Sequence, residues 1–165
     1  MSGAPAPGAI EVLLSRLPHG EGLPLPSYAT SDSAGMDLYA AVEEAVTLDA
    51  GERALISTGL RIALPSGYEA QIRPRSGLAL RHGISMVNTP GTVDGDFRGV
   101  VCLLLINLGK ESFTVHRGDR IGQMVVAPVT RATWEEVAEL PPSERGEGGF
   151  GHTGVRMAEL DEELP

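Results

Sequence analysis

The apolar and β-branched positions fall in short runs, not in the broad stripes that mark amphipathic helices. Runs at residues 10–17, 36–40, 53–64, 68–73, 84–87, 100–108 and 120–129 are separated by Pro, Gly, Asp and Asn. Runs of strand length bounded by turn residues predict β-strands. Helical signals are confined to a turn around residues 76–81 and a short piece near 133–140. With many strands, no βαβ rhythm and no internal repeat, the expected fold is all-β: a jelly-roll-like antiparallel barrel or sandwich. Residues 100–106 are apolar at every position, so this strand is expected to be covered on both faces, as a central sandwich strand or by subunit association.

Composition narrows the classes. A chain of 165 residues with 42% hydrophobic and 21% charged residues fits one ordinary domain. Residues 1–9 read as a flexible leader, 10–140 as the β domain, and 141–165 as a flexible Gly-rich arm. No run reaches the length of a membrane span, and the start MSGAPAPGAI lacks the layout of a secretory signal, so the expectation is a cytoplasmic protein without a membrane partner. The net charge of -9 argues against nucleic acid. A single cysteine, Cys102, excludes an intrachain disulfide and the two-cysteine zinc site of nucleobase deaminases. Of the 13 basic residues 12 are Arg, whose planar fork matches phosphate and carboxylate oxygens, although a GC-rich genome produces the same bias.

Five segments combine Gly with polar residues beyond what a turn needs: AGMDLYA at 34–40, RPRSGLA at 73–79, NTPGTVDGDFRG at 88–99, GDRIGQ at 118–123 and RGEGGFGHTG at 145–154. In the second, Pro74 ends a strand and Gly77 permits a turn into a helical piece. Backbone N–H groups there, beside Arg75 and Ser76, suit an anion, though an N-cap Ser with a solvated Arg reads the same way. The third reads as a hairpin presenting backbone amides, which suits the hydrogen-bonding edge of a pyrimidine; Asp94 and Asp96 are also ordinary turn residues. Asp37 lies in an apolar strand, where a charge must be paired, so it bonds an Arg (Arg120 or another) or faces a metal. The fifth has too many glycines to hold one shape unaided. It lacks the Lys-Ser/Thr pair of a phosphate-binding P-loop, and its Arg145 and Phe150 suit a lid that orders on substrate.

In order, spacing and wording these segments closely resemble the five motifs of the homotrimeric dUTP pyrophosphatase (dUTPase) family, from about residue 10 to 154. The resemblance implies a Mg²⁺-dependent enzyme that converts dUTP to dUMP and pyrophosphate, working as a homotrimer with shared active sites. It implies that Asp94 activates the attacking water, that Gln123 and Arg145 serve the phosphate end, and that Arg75, Ser76 and Gly77 contact the triphosphate. Asn88, Thr92 and Val93 form the nucleoside pocket, Phe97 packs on the deoxyribose, Phe150 and Gly151 close over the uracil, and Asp37 holds Mg²⁺ through water. Two positions depart from the family pattern: Phe97 stands where Tyr is usual and His152 where Ser is usual. A dCTP deaminase of the same fold and a catalytically silent nucleotide-binding module are the alternatives. The SGLA ending of the second segment and the long Gly-rich arm favour the diphosphatase over the deaminase, and the intact set of Asp37, Asp94, Gln123, Arg145 and Phe150 counts against silence.

Overall fold

The computed structural model describes residues 9–149. Eleven strands, one turn of 3-10 helix (Pro18–Gly20) and one short α-helix form the unit that ends at Thr130. A four-stranded antiparallel sheet runs in the order β2 (Met36–Tyr39), β11 (Arg120–Pro128), β6 (Tyr68–Arg73), β8 (Gly91–Val93). A three-stranded antiparallel sheet runs β4 (Arg53–Ser57), β9 (Cys102–Asn107), β7 (Ile84–Met86). Two ribbons complete the unit: β1 (Leu13–Arg16) with β5 (Leu60–Ala63), and β3 (Val46–Leu48) with β10 (Phe113–Val115). The all-β expectation is met.

Strand alternation builds the core. Leu38, Ile72, Ala70, Val93 and Met124 from the larger sheet join Ile56, Leu103, Leu105, Ile84 and Met86 from the smaller one in a single buried cluster. These are the side chains that the pleat sends to one face, and their removal from water is the main favourable term. Asn107, fully buried, earns its place by donating to the Leu48 and Glu111 carbonyls at 2.9 and 2.8 Å.

Four expectations change. The 53–64 run is two strands, because Gly59 takes a left-handed φ of 67° between β4 and β5. Strands β3, β8 and β10, of three residues each, escaped the pattern because three positions carry too little alternation. No helix forms at 133–140. β9 is central in its sheet, yet within one chain only its inner face is sealed: Leu103 and Leu105 are fully buried, while Cys102, Leu104 and Ile106 on the outer face are only partly buried.

The single α-helix among the described residues, α1 (Ser76–His82), stops at Gly83, which takes a left-handed φ of 70° and donates its N–H to the Ala79 and Leu78 carbonyls. The unit beginning at Arg131 has no strand or helix among its described residues. It turns through Gly146 N–H to the Ser143 carbonyl and Gly148 N–H to the Arg145 carbonyl, both at 3.1 Å, and Arg145 Nε donates to the Gly148 carbonyl at 2.8 Å. Phe150, Gly151 and His152 lie outside the described residues. No helix of the described residues is long and apolar enough to cross a membrane.

Candidate active site

Residues directly opposite on antiparallel strands share a face, and the register of the four-stranded sheet sets Asp37 of β2 opposite Gln123 of β11, and Gln123 opposite Arg73 of β6. That row lies on the outer face, away from the core. Beside it the chain leaves β6 through Pro74 and enters α1, placing Arg75, Ser76 and Gly77 at the helix start. The first N–H groups of a helix have no intrahelical acceptor, so Ser76 and Gly77 present donors there. A cleft of about 440 Å³ is lined by Asp37, Arg75, Ser76, Gly77, Arg120 and Gln123, with Ser27, Ala29 and residues 33–35 along its rim.

Inside this cleft the carboxylate is already engaged. Arg75 Nε lies 3.0 Å from Asp37 Oδ1 and Arg120 Nη1 lies 3.4 Å from Oδ2, while Arg75 Nη1 donates to the Arg120 carbonyl at 3.3 Å. Both readings of Asp37 as an arginine partner therefore hold at once, with Arg75 as well as Arg120. Gln123 Nε2 donates to the Pro74 carbonyl at 3.1 Å, which aims its amide at the strand-to-helix turn. One carboxylate against two guanidiniums leaves the cleft with an excess of positive charge, the complement of a phosphate chain.

A divalent cation is compatible with this donor set in one way. Among the described residues no group of three or more His, Cys, Asp and Glu is placed to hold a metal. Mg²⁺ retains several waters and rests on one or two carboxylates plus substrate phosphates. Asp37 has about four lone-pair sites and spends two on arginines, so it retains capacity for metal-bound water.

The nucleoside residues form a second cluster elsewhere on the same sheet. β7 belongs to the three-stranded sheet and β8 pairs with β6, so the chain crosses between sheets after β7, and residues 88–99 contribute the single strand β8 instead of the hairpin expected from sequence. The apolar residues Ile84 and Met86 enter the shared core from one sheet and Val93 from the other. β8 is nonetheless an edge strand, and its outer backbone groups stand free for a ligand. Thr92 points outward and is exposed, whereas the Val93 side chain is buried, so Val93 can serve a pocket only through its backbone. Asn88 and Asp94 are exposed at either end. Phe97 N–H bonds the Asp94 carbonyl at 3.1 Å, and the Phe97 ring lies on Gly99, where a Cβ would collide with it.

The two clusters do not meet within one chain. Gln123 lies opposite Arg73, and Val93 lies opposite Ala70, three residues back along β6. With β6 between β11 and β8, that is about 10 Å along the strand and about 10 Å across it, or about 14 Å in all. Asp94, Asn88, Thr92 and Phe97 do not line the phosphate-complementary cleft.

Arg120 is expected from sequence as a partner of Asp37 but not as a lining residue of the cleft, although it stands three positions before Gln123. Regular alternation from Gln123 turns residue 120 inward. A β-bulge between Arg120 and Gly122 adds one residue, burying both Ile121 and Gly122 and turning Arg120 out beside Asp37.

The chain matches the dUTPase family over residues 21–154. It is 54% identical over 146 residues to the deoxyuridine 5'-triphosphate nucleotidohydrolase of Anaplasma marginale (strain St. Maries), covering 88% of this chain and 99% of that protein. Among solved structures it is similar to a Staphylococcus bacteriophage 80alpha dUTPase determined with dUPNHPP, at a TM-score of 0.79 and 24% identity over 89% of this chain and all of that one. A variant dUTPase of S. aureus phage phi11, studied for the coordination of a structural Mg(II) ion, aligns at a TM-score of 0.71 and 19% identity over 81% of this chain and all of that one.

Proposed function

The chain belongs to the dUTPase family, and from that premise we propose that it hydrolyses dUTP to dUMP and pyrophosphate, lowering dUTP and supplying dUMP for thymidylate synthesis in the cytoplasm. The observation that carries this reading is the cleft in which Asp37, Arg75, Arg120 and Gln123 converge beside the start of α1. Arg75, Gln123 and the Ser76 and Gly77 donors hold the phosphate chain, and charge building on its oxygens meets donors already in place. Asp94 accepts the proton of a water aligned with the α-phosphorus; the leaving group is pyrophosphate. Asn88, Thr92 and the Val93 backbone read the uracil edge, and a donor order set for uracil leaves unpaired groups against cytosine. Phe97 stacks on the deoxyribose and screens out a 2′-hydroxyl. Arg145 reaches the γ-phosphate end, and Phe150 and Gly151 close over the base. Mg²⁺, held by Asp37 through water, would neutralise charge on the phosphates when bound.

We further propose a homotrimer with shared sites. Asp94 of one copy then reaches the cleft of another, because Asp94 lies one residue beyond Val93, about 16 Å from Gln123 by the spacing of strands, and a base must lie within one water of the reacting phosphorus. The outer face of the β4-β9-β7 sheet supports association: Leu55 (67% exposed) and Val87 (50%) flank the half-exposed Leu104 on an apolar patch.

Incubation of the purified protein with dUTP, dCTP, dTTP and UTP, with the products resolved, tests the function. dUMP and pyrophosphate from dUTP alone are expected. A deaminated product from dCTP would replace this reading with the deaminase, and no product from any nucleotide would leave a silent module. Asp94→Asn should lower kcat by about 10²-fold or more with nucleotide affinity retained.

A further inference from the structure

The bulge in β11 has two effects: it buries Ile121 together with Gly122, and it places the Arg120 guanidinium on the cleft face instead of in the core. We propose that Arg120 is a positioning residue, acting through Asp37 to hold the Arg75 guanidinium at the phosphate cleft. The inference rests on the assignment of Arg75 to the phosphates.

The geometry is a closed loop of three contacts. Asp37 offers one oxygen to Arg75 Nε and the other to Arg120 Nη1, and the Arg120 carbonyl receives Arg75 Nη1. A carboxylate held at one oxygen can swing about its Cβ–Cγ bond; held at both, its plane is set. Arg75 then spends Nε and one terminal nitrogen on protein acceptors, and its other N–H groups remain for an anion. Removing the Arg120 side chain leaves its carbonyl, and so one Arg75 bond, in place. It frees Asp37 Oδ2 and lets Asp37 and Arg75 turn together. Arg120 is more than half exposed, so its removal leaves no buried void and no threat to folding.

The test is a double-mutant cycle read without turnover. Binding of inorganic pyrophosphate is measured by calorimetry in EDTA for the wild type, Arg120→Gln, Asp37→Asn and the double variant, and melting temperatures confirm that all four are folded. The expectation is a loss of about tenfold in affinity for Arg120→Gln, within the range that misplacing a binding group costs. That loss should shrink to less than about twofold in the Asp37→Asn background, where no carboxylate remains to hold. Arg120→Lys should recover only part of the loss, because an ammonium keeps the charge but its shorter side chain ends before the Nη1 position that reaches Asp37. An undiminished loss in the Asp37→Asn background would make Arg120 a direct phosphate ligand and overturn the proposal, as would full recovery by lysine, no loss in the single variant, or no pyrophosphate binding by the wild type. The Arg75 Nε–H resonance supplies a reading independent of any phosphate: it should broaden in Arg120→Gln and lose its carboxylate-paired shift in Asp37→Asn. If dUTP is not turned over, the substrate assignment falls, while this resonance and the pyrophosphate cycle still decide the role of Arg120.

Discussion

Gly35 and the side-chain amide of Gln123 are so close that the smallest side chain at position 35 would collide with Gln123 Oε1. The motif glycine therefore keeps space for the glutamine. Its φ lies outside the left-handed region, so the requirement is room and not backbone conformation.

Gly35→Ala should separate stability from activity. The obstruction is the end of a flexible side chain that can rotate away, so thermal stability should change by less than about 1 kcal/mol. Rotation breaks the Gln123 bond to the Pro74 carbonyl and misaims the amide, and kcat/KM should fall about tenfold or more. Melting and steady-state kinetics on one preparation check both; equal activity would remove Gln123 from the phosphate end.

Gly122→Ala should act first on stability. Its Cβ would collide with Leu103, which is fully buried, and would crowd the Arg73 carbonyl at 3.2 Å, so the strain falls on packed core and backbone. Overpacking of this kind costs about 1 to 3 kcal/mol, visible as a lowered denaturant midpoint. The same change presses on the bulge that turns out Arg120.

The proposed sharing of sites between copies predicts complementation. Deleting everything after Ser143 should leave the β unit folded, since the strands and the core cluster all lie before Thr130, and should abolish most turnover by removing Arg145 and Phe150. Mixing that chain with Asp94→Asn under subunit exchange should restore part of the activity. Verified mixed trimers without recovery would mean that each arm serves the site of its own Asp94.

Cys102 should be a poor nucleophile. Burial pushes its thiol above the ordinary range, and the hydrogen bond with Ser57 opposes that rise only in part. The neutral thiol is the favoured native form, so alkylation should be slow at neutral pH and accelerate only above the usual thiol range. The linked stability is present below the unfolded thiol pKa and lost as pH rises through the higher folded value. Ser57→Ala removes the opposing hydrogen bond and should slow alkylation further; faster reaction at neutral pH would contradict the assignment.

What could be read from the chain by itself was whatever repeats locally. Strand runs such as 68–73 and 120–129 carry their alternation within a few residues, and the segments at 73–79 and 88–99 carry their chemistry in consecutive side chains, so the β class and the candidate residues were legible there. Tertiary structure decided what depends on pairing partners. The bulge that turns Arg120 outward is a mismatch between two strands more than 80 residues apart in sequence, and no window along either strand contains it. The placement of β7 and β8 in different sheets likewise follows from their partners, β9 for β7 and β6 for β8, which lie outside each strand's own window and belong to different sheets around one shared core. That partition keeps Asp94, Asn88, Thr92 and Phe97 out of the lining of the cleft formed by Asp37, Arg75 and Gln123, and it is the reason a site shared between copies is proposed.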